Sequence, residues 1–213
     1  MTGAELLAYT RELLRDTVSP YLWSDTTVYR YLNDAQRIMA ERTFCLVDDE
    51  NYDIATEIGV RSYTLDNDEI LQVLGARISG QTTPLSPGFS PVTSAFFSNT
   101  VGLPTNYSQV GGRLKISFTP TPDAVYTVNL IVAIRPTTTI STGVAPEVPV
   151  PFHLALADYA ASKCLIHNDV DGINITSAEA FGRSFNEAVR DLKAQIYHYR
   201  LGPDANVVPM RIT

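Results

Sequence analysis

The sequence predicts an α+β protein. A helical bundle is built from N- and C-terminal helix pairs. An antiparallel β-sandwich or barrel-like block is inserted between the pairs, and an extended C-terminal tail follows. Three observations carry this prediction. Apolar residues recur at helical spacing in the first 45 residues and again after about residue 150. Between about Tyr52 and Thr139 short β-type runs alternate with Gly, Pro and Asn/Asp punctuation. No helix-length stretch interrupts that middle block, so its strands are expected to pair antiparallel. Neither terminal helix pair alone buries enough apolar surface, so the two must share a core and the β-block becomes an insertion. The expected divisions are a helical hairpin over 1–47, an inserted β domain over 48–145, a helical pair over 146–200 and a docking tail over 201–213.

Thr2 and Glu5 form a T-x-x-E capping box at the start of the first helix. Leu6, Leu7, Thr10, Leu13 and Leu14 then share one face, and Ser19-Pro20 is expected to end the helix. Ser24 caps the second helix. Its apolar stripe is Val28, Tyr31, Leu32, Ala35, Ile38 and Met39, with Arg30, Asp34, Arg37 and Glu41 opposite. The short connection Ser19–Trp23 predicts antiparallel packing of the two.

Strands are expected near Tyr52–Thr56, Ser62–Leu65, Glu69–Ile78, Tyr107–Val110, Leu114–Thr119 and Tyr126–Arg135. Asp66-Asn67-Asp68, Gly111-Gly112 and the proline-rich Thr119–Asp123 are the turns between them. Residues 79–106 form a long loop rich in Ser, Thr, Pro and Gly that also carries Phe89, Phe96 and Phe97. It reads either as an arm docking on a neighbour or as a loop packing on its own sheet. After the proline-rich Pro146–Pro151 come a helix over Phe152–His167, a turn over Asn168–Asn174 and a long helix over Ile175–Tyr199. Ala160 and Ala161 allow another helix to approach closely. Gly202-Pro203 stops the last helix and leaves an apolar tail, Asp204–Thr213.

The chain has 213 residues, with 16 basic against 23 acidic side chains and a net charge of −7. Its hydrophobic content of 45% excludes disorder over the whole chain. The acidic balance argues against a protein that coats nucleic acid. The charged fraction, 18%, is low, as interface cores are. Cys45 and Cys164 lack CxxC neighbours and read as buried thiols in a reducing compartment. The longest apolar run, Leu130–Ile134, is far short of the ~20 residues a membrane helix needs, so no membrane partner is expected.

No catalytic or metal constellation emerges, and no cofactor is expected. His153 and His167 bracket one helix, too far apart to share a metal unless the helix bends, while His198 could approach one of them. Asn168–Asn174 fails the calcium-loop pattern in its glycine position and in lacking a closing glutamate. GxSxG, HExxH and P-loop motifs are absent. Charge placement is more informative. Residues 48–69 hold eight carboxylates against Arg61, a local balance of −7, numerically the whole excess of the chain. The last helix and tail lean basic through Arg183, Arg190, Lys193, Arg200 and Arg211. Two solvated faces account for this. So does a polar subunit whose acidic region meets the basic region of the next copy, a head-to-tail contact that closes into rings.

Five segments, in order along nearly the full chain, carry a family resemblance. They are Tyr21-Leu-Trp-Ser-Asp25, Tyr31-Leu-Asn-Asp-Ala-Gln-Arg37, Arg61-Ser-Tyr-Thr-Leu65 with the following Asp66–Glu69, Gly102-Leu-Pro-Thr-Asn-Tyr107, and Val148-Pro-Val-Pro-Phe-His153. The last opens a helix that leads to the acidic turn Asp169-Val-Asp171. Their succession resembles the head-to-tail adaptor (connector) proteins of tailed bacteriophages. That resemblance implies a non-enzymatic virion protein of the neck, assembled in the host cytoplasm. Typically twelve copies form a ring beneath the portal protein, extend the DNA channel and receive the tail or nozzle. DNA passes through without specific binding. The resemblance places portal contacts on the last helix and tail, at Arg190, Lys193, Arg200, Val207, Val208, Met210, Arg211 and Ile212. Phe89, Phe96 and Phe97 are candidates for contacts with a neighbouring subunit or the tail. Asp48, Asp49, Glu50 and Asp53 are candidates for the channel wall, where negative charge repels phosphate.

Two other readings compete. One is a non-catalytic β-sandwich module that recognises carbohydrate or protein through exposed aromatics. The other is a hydrolase with a carboxylate pair in the acidic segment, which would require converging carboxylates of shifted pKa.

Overall fold

The structure is a computed structural model that describes residues 1–65, 68–88, 100–109, 115–167 and 173–201. The expected loop aromatics, most of the turn near residue 170, the Asp66-Asn67 and Gly111-Gly112 turns and the tail beyond residue 201 lie outside the described residues. The fold is α+β, with four α-helices and two β-sheets. It divides into two compact units, Met1–Cys45 with Thr138–Thr213, and Leu46–Thr137.

The first unit holds α1 (Gly3–Leu14), α2 (Asp25–Thr43), α3 (His153–His167) and α4 (Ile173–Leu201). The capping box forms as its sequence requires. Thr2 Oγ1 accepts from Glu5 N, and Glu5 Oε2 accepts from Thr2 N at 2.8 Å. Gly3 permits a close approach, since a Cβ there would lie 1.9 Å from the Ser141 carbonyl oxygen. The helix stops at Leu14, well before Ser19-Pro20, because Arg15 turns left-handed at φ 55° and Asp16 N donates back to Arg11 O.

The early stop serves a buried ionic cluster. Arg11 bonds Asp16 at 2.8 Å, donates to the Trp23 carbonyl at 3.0 Å and pairs with Asp25. Its guanidinium also sits 3.6 Å from the centroid of the Tyr21 ring. The Asp16 carboxylate in turn accepts from the backbone N–H groups of Leu22 and Trp23. The loop between α1 and α2 is therefore wound around one guanidinium. Ser24 then caps α2 by accepting from Thr27 N.

On the buried side of α2, Asn33 and Gln36 hold the backbone of the segment entering the last helices. Asn33 donates to Ile140 O and accepts from Ile140 N at 2.7 Å. Gln36 donates to Thr138 O and accepts from Glu147 N. A short 3-10 turn, Val150–Phe152, leads into α3. Leu6, Leu32, Met39, Phe152, Leu156, Ala160, Cys164, Phe185 and Leu192 belong to one core, to which all four helices contribute. Each of α1, α2 and α4 packs against α3. Ser162 Oγ donates to Ala178 O at 2.8 Å, and Gly182 leaves room for that hydroxyl.

The second unit holds the eight strands. In one sheet β8 (Thr127–Ile134) is central. On one of its sides lie β1 (Val47–Asp48) and β2 (Asp53–Ala55), one after the other, and on its other side lies β4 (Ile70–Ile78). All three pair with β8 antiparallel. The second sheet runs β3 (Ser62–Thr64), β7 (Lys115–Thr119), β6 (Asn106–Gln109) and β5 (Ser86–Pro87). Among the described residues neither sheet closes into a barrel. The expectation of a wholly antiparallel block fails, because β5 pairs with β6 in parallel and the isolated Val101–Thr121 bridge is parallel too. Parallel neighbours need a crossover of a dozen or more residues, and the chain between Pro87 and Asn106 is long enough to provide one. The described ends of the 79–106 loop are thus built into the sheet, and Val101 bridges Thr121.

The two sheets contribute to a common core that includes Val73, Ile78, Tyr107, Ile116, Phe118, Val128, Leu130 and Val132. Tyr107 Oη donates across to Leu74 O at 3.2 Å. Tyr63 packs on Phe118 at a centroid distance of 5.6 Å and donates to Val60 O.

Removing the guanidinium should be costly. Arg11→Met leaves the buried Asp16 carboxylate uncompensated, and a loss of about 3–5 kcal/mol in urea unfolding is expected. A second prediction concerns pH. His153 is buried and bonds Val148 O through Nε2 at 2.8 Å. Burial holds its pKa below the ordinary 6.5, against the opposing effect of that carbonyl. The unfolded chain therefore takes up this proton first, and folding stability should decline as pH falls below about 6.5. His153→Gln should flatten that slope in thermal melts across pH 5–7, whatever its effect on absolute stability.

Candidate functional site

A surface concavity of the helical unit begins where α2 ends. Phe44 adopts the left-handed region at φ 56° and its N–H donates to Ala40 O. Its own carbonyl accepts from Arg200 Nη2 at 2.8 Å, which ties the end of α2 to the distal part of α4. Between these helices lies a groove of about 510 Å³. Glu41, Arg42 and Phe44 line one side, and Asn186, Val189, Arg190 and Lys193 the other. The α4 residues recur at i, i+3/i+4 and i+7, so they form one stripe. Arg42 bridges the rim by donating to Asn186 Oδ1 at 2.9 Å, and Asn186 is itself fixed by donating to Gly182 O.

The groove has an apolar floor, Phe44 and the buried Val189. Three cations, Arg42, Arg190 and Lys193, stand around it with one carboxylate, Glu41. Arg190 pairs with Glu187 at 3.8 Å on the exposed surface, a weak pair. Partial burial lowers the pKa of Arg200 from its ordinary value, opposed by its neighbour Cys45. The arrangement suits an acidic segment that carries an apolar side chain.

The expected portal residues thus divide. Arg190 and Lys193 meet in the groove, Arg200 stands behind it at Phe44, and Val207, Val208, Met210, Arg211 and Ile212 lie outside the described residues. Phe89, Phe96 and Phe97 also lie outside them. Sequence reasoning missed Arg42 and Phe44. No signal marked Phe44, because a helix usually ends on glycine when it turns left-handed.

The acidic candidates sit in the second unit, and their roles differ. Asp48 spends its carboxylate locally. It accepts from the backbone N–H groups of Glu50 and Asn51, each at 3.0 Å, and from Asn51 Nδ2 at 2.8 Å. Hydrogen bonds from Asn51, then from Glu50, hold its pKa below the ordinary 3.8. Asp53 on β2 accepts from its cross-strand partner Asn129 at 2.7 Å. Asp49 and Glu50 remain exposed at the tip of the turn.

The thiols are poorly suited to nucleophilic chemistry. Burial pushes Cys164 up to about 12 and raises Cys45 as well. Among the described residues no group of three or more His, Cys, Asp or Glu side chains could hold a metal ion, and no helix is long and apolar enough to cross a membrane.

A helical unit with a charged groove and an inserted two-sheet unit with an acidic turn are the features to set beside known proteins. The family model of the SU10 adaptor protein matches residues 1–209. The chain belongs to that family of phage structural adaptor proteins, and membership implies a virion component. Among curated proteins none matches the chain.

The groove cations should be dispensable for folding. Arg190→Ala and Lys193→Ala should each change unfolding free energy by no more than about 0.5 kcal/mol, as surface substitutions do. Phe185→Ala, one helical turn away in the core, should cost about 3–5 kcal/mol in the same denaturant titration.

Proposed function

We propose that this protein is a head-to-tail adaptor of the virion neck. On this reading it acts as a ring, with twelve copies expected, that docks on the portal protein, extends the DNA channel and attaches the downstream tail or nozzle. It performs no catalysis and needs no cofactor. The observation that carries the reading is the family match across both units, from residue 1 to residue 209.

The physical chemistry is consistent with it. A net charge of −7 suits a passage through which DNA slides, because a wall that repels phosphate does not grip it. The distal part of α4 beyond the core, with Arg200 and exposed Tyr197 and Tyr199, is the surface for the portal. The tail candidates that follow it, and the loop phenylalanines for the neighbour or tail, are carried forward on the family resemblance alone.

Mixing the protein with portal particles and imaging by electron microscopy tests this directly. Added ring density on one face of the portal, with twelve-fold symmetry, is the expected result. Portal particles that stay bare at saturating protein would sink the proposal. A ring of different symmetry would correct the copy number alone.

A further inference from the structure

We infer that the basic groove on the helical unit receives the acidic β1–β2 turn of a second copy of this chain. The inference rests on the ring reading above only in requiring that copies meet. The contact itself is argued from the two surfaces.

The turn is built to present its charge. Asp48 turns its carboxylate inward onto the N–H groups of Glu50 and Asn51. That leaves Asp49 and Glu50 as exposed carboxylates at the tip. Two residues before Asp49, Val47 on the two-residue strand β1 is 51% exposed. The segment thus offers one apolar side chain followed closely by two carboxylates.

The groove offers the complement. Phe44 and Val189 form an apolar floor, and around it Arg42, Arg190 and Lys193 outnumber the single carboxylate, Glu41. Val47 fits the floor, and Asp49 and Glu50 fit the cations. Both partners also have their backbones fixed. The turn is held by its Asp48 hydrogen bonds, and the groove by the bonds from Arg200 to Phe44 O and from Arg42 to Asn186. Little ordering entropy is lost on contact when both sides are already set.

Such a contact joins different surfaces on the two copies. It is heterologous, the class that propagates head to tail and closes when the rotation permits. It assigns Asp49 and Glu50 to a subunit contact, where the sequence had placed them on the channel wall. Arg190 and Lys193 move from the portal face to the same contact. A pairing of exposed charges weakens with salt, because the Debye length shrinks from about 10 Å at 0.1 M to about 3 Å at 1 M.

Zero-length carbodiimide coupling of the full chain, on a mixture of ¹⁴N- and ¹⁵N-labelled protein, tests the inference. Carbodiimide joins a carboxylate directly to an amine, so it reports Asp49 or Glu50 against Lys193. The expected result is a cross-linked peptide pair of mixed isotope label that disappears at 1 M salt. A pair found only with matched labels, or no pair, would overturn the inference.

Charge reversal gives an independent reading. The double variants D49K/E50K and R190E/K193E should each weaken self-association by about tenfold or more, since like charges then face each other. Mixing the two variants should restore it, because each reversed surface meets a complementary one. Failure to restore, with both variants folded by circular dichroism, also overturns the contact. The outcome is separable from that of the portal experiment. Rings on the portal without the cross-link leave the adaptor reading standing and remove this contact. The cross-link without portal binding does the reverse.

Discussion

Helix α3 is the surface on which the helical unit is assembled, and the small size of its side chains is the constraint that makes this work. Ala155, Ala157, Ala160, Ala161 and Cys164 are buried along it, so three other helices can approach from different sides. A helix that is apolar nearly all round has no stable existence in water and must be covered. α1 and α2 supply part of the cover, and α4 supplies the rest. A larger residue at Ala160 would push its neighbours apart and be felt through the whole core. The groove depends on the same arrangement, since packing on α3 sets where α2 and α4 lie.

The segments that carry the family resemblance prove to be scaffold. In Tyr21–Asp25, Trp23 fills the core, Ser24 caps α2, and Tyr21 and Asp25 close around Arg11. In Tyr31–Arg37, Asn33 and Gln36 hold the chain as it returns for the last two helices. In Val148–His153, the histidine bonds back to the first residue of its own motif. Tyr63 and Tyr107 do comparable work in the β-unit. Asn33, Gln36 and Asp25 in these segments each tie together parts of the chain distant in sequence or adjoining a turn. The groove and the acidic turn lie outside these motifs. A docking surface follows its partner, whereas a buried hydrogen bond has few substitutes.

Much of this fold is legible in the sequence. Both N-terminal caps were readable, because capping chemistry is written in residue type. The longer strands were readable, because a half-buried strand alternates. The two-residue strands β1 and β5 were not, since two residues carry no period. The parallel pairing of β5 and β6 was hidden for a related reason. A crossover is recognised by the periodicity of its helix, and the sequence between β5 and β6 carries no helical period. Charge asymmetry pointed to the basic end and the acidic segment. It could not show that Arg42 comes across from another helix to join Arg190 and Lys193, nor that Asp48 turns inward while Asp49 and Glu50 face out. Those distinctions depend on tertiary contacts and on which backbone N–H groups need an acceptor.

The helical unit is interrupted in sequence, and that has a consequence for how the chain is made. α2 ends at Thr43, and the helix it packs on does not begin until His153. A ribosome working at roughly 5–20 residues per second leaves the apolar faces of α1 and α2 uncovered for roughly 5–20 s. The β-unit, by contrast, is continuous from Leu46 to Thr137 and can condense as soon as it emerges. Synthesis therefore favours an order of events in which the inserted part folds first and the enclosing part last. In a crowded host cell making many copies, that interval is when helices of one nascent chain can find those of another. The solvent-facing charges on α2, such as the Asp34–Arg37 pair, help keep them in solution through that wait.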